Sequence, residues 1–121
     1  MEKVTGIGGL FFRATNPSKL TEWYEKHLGI NPVPTSYDQL PWVQESGPTV
    51  FAAFEENTDY FGKASQSWMI NFRVNDLYKM VEQLQKAGIE ITVNEDVYPN
   101  GRFASLRDPE DNLIELWEPT N

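Results

Sequence analysis

The sequence predicts an α+β fold made of two copies of one strand-helix-strands unit, and three observations predict it. First, a shift of 60 residues lays Phe12 on Phe72, Arg13 on Arg73, Lys19 on Lys79, Glu22 on Glu82 and Lys26 on Lys86; one residue out of register, Gly29 and Ile30 fall on Gly88 and Ile89. Second, apolar side chains alternate in 8–12 and in 68–74, then recur at spacings of three and four in the stretch that follows each. Alternation is the mark of a strand with one buried face, and the longer spacing that of a helix covering it. Third, each helical stripe has a capping residue before it and a glycine behind it. Matches at equivalent places in a unit signal a duplicated motif.

The elements follow in order. The first strand, 8–12, turns Leu10 and Phe12 (with Ala14 beyond it) to one side and Gly9, Phe11 and Arg13 to the other. Asn16 caps a helix whose first residue is Pro17, its φ already set for that position. Leu20, Trp23, Tyr24 and His27 form its stripe, and Gly29 stops it. Strands are expected near 32–35, 41–45 and 49–54, after which 55–66 shows little periodicity and joins the halves. Module one therefore spans about 4–56, a linker 57–66 and module two about 67–119.

In module two Ile70, Phe72 and Val74 share one strand face, and Met69, Asn71 and Arg73 the other. Asp76 caps the second helix, which carries Leu77, Met80, Val81 and Leu84 before Gly88. Strands over 90–97, 102–106 and 113–118 complete the module, with the turn Asp108-Pro109-Glu110-Asp111-Asn112 between the last two. Each module reads βαβββ.

Composition excludes several functions. A chain of 121 residues suffices for one domain with a core and not for two independent ones. There is no cysteine, so disulfides, thiolate metal sites and thiol nucleophiles are ruled out. Ten basic against eighteen acidic residues give a net charge of −8, a surface that repels nucleic acid. No run of apolar residues is long enough for a membrane span, and the N-terminus lacks the basic-then-apolar pattern of a secretory signal, so a cytoplasmic location is expected.

Three stretches carry a resemblance. Asn16 and Pro17 lead into Trp23-Tyr24-Glu25-Lys26-His27-Leu28-Gly29; Phe72-Arg73-Val74-Asn75-Asp76-Leu77 opens the second half; Asp108-Pro109-Glu110-Asp111-Asn112-Leu113-Ile114-Glu115-Leu116 closes it. In this order, and on a duplicated chain, they resemble the vicinal oxygen chelate superfamily of glyoxalases, bleomycin-resistance proteins and extradiol dioxygenases. Asp111 departs from the pattern, since the family usually has glycine there. The resemblance implies paired βαβββ modules forming an incomplete curled mixed sheet around a cleft, helices outside. It also implies a homodimer, often with modules of two chains building each cleft, and in many relatives a divalent metal.

Period-two logic then assigns the cleft. With Ile114 and Leu116 on the helix side, Leu113, Glu115 and Trp117 face the cleft, joined by Phe103, Ser105 and Arg107 from the preceding strand and by Phe11, Arg13, Met69, Asn71 and Arg73. An apolar wall with a few directed polar groups suits a small organic ligand. Trp42, Trp68, Trp117, Tyr60 and Phe61 offer stacking surface. The alternative is plain packing, with Glu115 neutralised by Arg13 or Arg73.

By motif alignment the family's four metal-ligand positions fall on Gly9, Met69, a residue near Ala52, and Glu115. A first-row metal usually takes three or four His, Asp or Glu ligands, and of these four Glu115 alone qualifies, so no catalytic metal and no cofactor are expected. His27, the sole histidine, is expected to pack at the end of its helix. If there is chemistry, Glu115 is the candidate general base, with Tyr98 or Tyr37 supplying a phenol. Three functions follow: a metal-free binding protein for a small molecule, aromatic or cationic; a divalent-metal-dependent lyase, isomerase or dioxygenase; or a non-catalytic structural or regulatory domain. The acidic surface favours a positive ligand, whereas two cleft arginines favour a negative one.

Overall fold

A computed structural model describes residues 1–120. In chain order the elements are α1 (Pro17–Leu28), β1 (Ile70–Arg73), α2 (Leu77–Lys86), β2 (Ile91–Val93), β3 (Gly101–Arg107) and β4 (Leu113–Pro119). The fold is α+β. Its four strands form one mixed sheet in the order β1-β4-β3-β2, with β1 parallel to β4 and the other pairs antiparallel. Among the described residues no helix is long and apolar enough to cross a membrane.

Both helices begin as their caps dictate. Asn16 Oδ1 accepts from the Lys19 N–H at 3.2 Å, and Asp76 Oδ1 from the Lys79 N–H at 3.0 Å, each satisfying a donor that the first turn leaves free. α1 ends at Gly29 in the left-handed region, with φ 70, where a glycine avoids the Cβ clash. α2 ends one residue earlier than its glycine, at Ala87, and Gly88 takes the positive φ.

Both helices lie on one face of the sheet. Leu20 and Tyr24 from α1 and Leu77, Val81 and Leu84 from α2 bury against Ala104, Leu106, Ile114 and Leu116. Leu77, Leu84, Ile114 and Leu116 are fully enclosed. The 3–4 stripes and the strand parity of module two are thus the ones expected.

Module one departs from expectation. Its helix forms, but among the described residues 8–12, 32–35, 41–45 and 49–54 are not strands. α1 covers the sheet of module two instead of strands of its own. The cause is partnership: a strand needs a neighbour for its N–H and C=O groups and a surface for its apolar side chains. Among the described residues these segments pair with no strand, and Phe11 and Phe51 are 95% and 92% exposed.

Candidate functional site

The side of the sheet away from the helices is set by register. Arg73, Trp117 and Phe103 are cross-strand partners in one row, and Asn71, Glu115 and Ser105 in the next. Leu113 and Arg107 pair in a third row. Partners side by side across a sheet project to the same face. Asn71, Arg73, Phe103, Ser105, Leu113, Glu115 and Trp117 are therefore brought together as the sequence predicted. Met69 lies just before β1.

Phe11 and Arg13 are not brought to that face. They belong to the unpaired N-terminal segment, and both are exposed. Trp42 and Trp68 are exposed as well, Trp68 contributing its carbonyl as acceptor for Gln66.

One end of the face is aromatic. Phe103 and Trp117 stack with ring centroids 6.2 Å apart and planes 5° from parallel, and Tyr98 meets Phe103 edge-on at 5.9 Å. The Trp117 indole is fixed by its Nε1–H, which donates to the Asn100 carbonyl at 2.8 Å. A second cluster reaches the sheet at Glu115, where Phe54 stacks on Tyr60 at 5.5 Å and packs with Phe61 at 5.0 Å.

Between them sits Glu115. Asn71 Nδ2 donates to its Oε1 at 2.7 Å, and the Tyr60 hydroxyl donates to its Oε2. Neither Arg13 nor Arg73 pairs with it, so the ion pair of the plain-packing alternative does not form among the described residues. Glu115 takes part in none of the three ion pairs found among the described residues. Arg73 donates instead to the Glu45 carbonyl at 3.0 Å and lies so near Gly47 that a Cβ there would collide with its guanidinium. Arg107 turns to the Asp111 carbonyl at 3.3 Å.

The phenol is also a different one. Tyr37 is exposed, and the Tyr98 oxygen accepts from Asn94 Nδ2 at 3.1 Å, so Tyr60 is the tyrosine at Glu115. Partial burial, then the hydrogen bond and the charge of Glu115, push the Tyr60 phenol up to about 12, which keeps it protonated and donating. Sequence reasoning marked Tyr60 only as stacking surface within an aperiodic linker. The available signal was an aromatic pair, Tyr60-Phe61, ahead of Gly62 in an otherwise polar stretch.

The linker is tied down along β4. Gln66 Oε1 accepts from the Leu113 N–H, and Gln66 Nε2 donates to the Leu113 carbonyl, both at 2.8 Å. Lys63 reaches Asp111 at 3.3 Å. Two open grooves of about 560 and 550 Å3 lie along the β2 edge, and Glu115 lines neither. His27 packs its ring against Trp23 at 5.4 Å.

The donor set does not fit a divalent cation. Among the described residues no three His, Asp or Glu side chains converge. Both oxygens of Glu115 are already engaged by neutral hydrogen-bond donors. Gly9 offers no side chain, and Met69 only a soft thioether.

The fold is shared with solved structures. TnmS3, an antibiotic binding protein from Streptomyces sp. CB03234, aligns with 17% identity over 99% of this chain and 100% of its own, at a TM-score of 0.63. Lactoylglutathione lyase from Agrobacterium tumefaciens aligns with 18% identity over 97% and 96%, at 0.62. The VPC_CASS1 protein from the mobile metagenome of V. Pseudocholerae aligns with 20% identity over 100% and 99%, at 0.61. No curated protein matches the chain. A sequence profile matches residues 6–116, nearly the whole chain, and by it this protein belongs to the Glyoxalase/Bleomycin resistance protein/Dioxygenase superfamily.

Proposed function

We propose that this protein is a homodimer that binds a small organic molecule on the open face of its sheet, without a catalytic metal and without transforming it. The observation that carries the reading is Glu115, whose two oxygens are held by Tyr60 and Asn71 beside the stacked Phe103 and Trp117. An aromatic floor with one directed polar seat is the composition of a ligand site. The fold alone does not choose the function, because chains of this shape include both an antibiotic binding protein and a lactoylglutathione lyase. The donor set supports the metal-free part of the choice: among the described residues no three His, Asp or Glu side chains converge at Glu115.

The second copy supplies what one chain lacks. The segments 8–12 and 49–54 carry exposed Leu10, Phe11, Phe12, Val50, Phe51 and Phe54, and β1 is a free sheet edge. Unpaired apolar strands and an open edge are complementary. Their pairing in the dimer forms the first βαβββ module, curls the sheet and closes the cleft over Glu115.

The test combines metal analysis with ligand screening. Protein purified without chelator is expected to carry less than stoichiometric divalent metal. Planar aromatic amines and carbonyl compounds are screened by thermal shift, with Phe103→Ala as the control that removes the floor. Binders are expected to raise Tm in the wild type, lose most of that effect in Phe103→Ala, and be recovered unchanged. A stoichiometric ion lost in Glu115→Gln, or turnover of a bound compound, would sink the reading.

A further inference from the structure

The charge of the ligand can be read from what surrounds Glu115. Both of its partners, the Tyr60 phenol and the Asn71 amide, are neutral donors. Each oxygen thus accepts one hydrogen bond from a neutral group, which leaves the negative charge uncompensated. Of the two arginines that could neutralise it, Arg73 turns to the Glu45 carbonyl and Arg13 lies exposed on the N-terminal segment, outside the sheet. A ligand that covers this face strips water from the carboxylate, and a desolvated charge needs a partner of opposite sign. The rings beside it favour the same sign, since aromatic faces are negative and attract cations. The net charge of −8 draws such a ligand in from solution.

We propose that the ligand is an organic cation, a planar aromatic bearing a protonated amine or quaternary ammonium, with its charge against Glu115 and its rings on Phe103 and Trp117. This rests on the cleft-binding reading above and goes beyond it in fixing the charge. It also addresses the opposing pulls of acidic surface and cleft arginines, because among the described residues no arginine pairs with Glu115.

Three fluorescent probes of one shape test it: N-methylacridinium as cation, acridone as neutral compound and anthracenecarboxylate as anion, titrated by fluorescence anisotropy at low salt. The cation is expected to bind about tenfold or more tighter than acridone, and the anion weakest. In Glu115→Gln the cation is expected to fall to the level of acridone. That substitution removes one of eight net negative charges, so a preference due to overall charge would survive it and overturn the proposal. Tyr60→Phe keeps the ring and frees a carboxylate oxygen. The cation preference is expected to persist or widen there, and its loss counts against the proposal. Equal binding of cation and acridone refutes the charge assignment while leaving the binding function standing. A preference for the anion that disappears in Arg13→Gln would place that arginine in the cleft and overturn the proposal too. Failure of all three probes to bind would remove both readings.

Discussion

Tyr24 joins the two halves of the chain through one oxygen. Its hydroxyl donates to the buried Asp108 at 2.6 Å, and Asp108 in turn accepts from the Glu110 and Asn112 N–H groups and from the Asn112 amide. A buried carboxylate with this many donors holds the last turn against α1. Tyr24→Phe is expected to cost about 1–2 kcal/mol by urea denaturation at neutral pH, since the Asn112 amide still serves Asp108. Burial, with the hydrogen bond and charge of Asp108, raises the Tyr24 pKa above its ordinary 10.0. A raised value means that the folded state holds the proton more tightly, so the stabilisation is complete below pH 10 and is lost as pH rises past it. The gap between wild type and Tyr24→Phe is therefore expected to narrow above pH 10, and a constant gap would count against the bond. Asp111, in the same turn, has φ 64, where the family's usual glycine fits without strain. Asp111→Gly and Asp111→Ala both remove its ion pairs with Lys63 and Arg107. Their difference isolates the backbone, and the glycine variant is expected to be the more stable by about 1 kcal/mol.

Elements were legible in the sequence to the degree that their causes are local. Asn16 with Pro17, and Asp76, start both helices, and the stripes of Leu20 and Tyr24 and of Leu77, Val81 and Leu84 are the faces that bury. The strands of module two were legible because each has its neighbour within the chain, which turns alternation into a fixed register. The segments expected as strands in module one pair with no strand among the described residues, and pattern alone could not say so. Glu115 was found by parity, whereas its bond to Tyr60 crosses 55 residues out of an aperiodic linker and leaves no periodic trace. Gly101 shows how an element can govern the site. It opens β3 at φ 134, and a Cβ there would strike the Glu118 carbonyl and the Trp117 indole. Gly101→Ala is expected to cost about 2–3 kcal/mol and to shift the tryptophan emission by dislodging Trp117 from Asn100. Unchanged emission together with near-native stability would show that the strand end is not what seats the floor.

At the scale of the whole molecule, apolar surface is distributed in a way that one chain does not account for. The core of module two is closed, while Phe11, Phe12 and Phe51 are exposed on segments that form no strand among the described residues. Isolated exposed side chains are ordinary on a protein surface, whereas several large ones on segments outside the sheet are what the proposed dimer would cover. If the chain were a monomer, Phe51, 92% exposed, would contribute nothing, and Phe51→Lys would leave stability unchanged or improve solubility. In the proposed dimer the same ring would be buried against the second copy, where a phenylalanine is worth about 1.5–3 kcal/mol and is counted twice by symmetry. Sedimentation is therefore expected to give twice the 13.9 kDa chain mass for the wild type, and the chain mass for a Phe12→Lys, Phe51→Lys double variant. The Tm of the wild type should rise with protein concentration and that of the variant should not, because only the dimer couples folding to association. A wild type that sediments at the chain mass, with a double variant of equal Tm, would leave the first module without a partner and reduce the site to the half built by β1, β3 and β4.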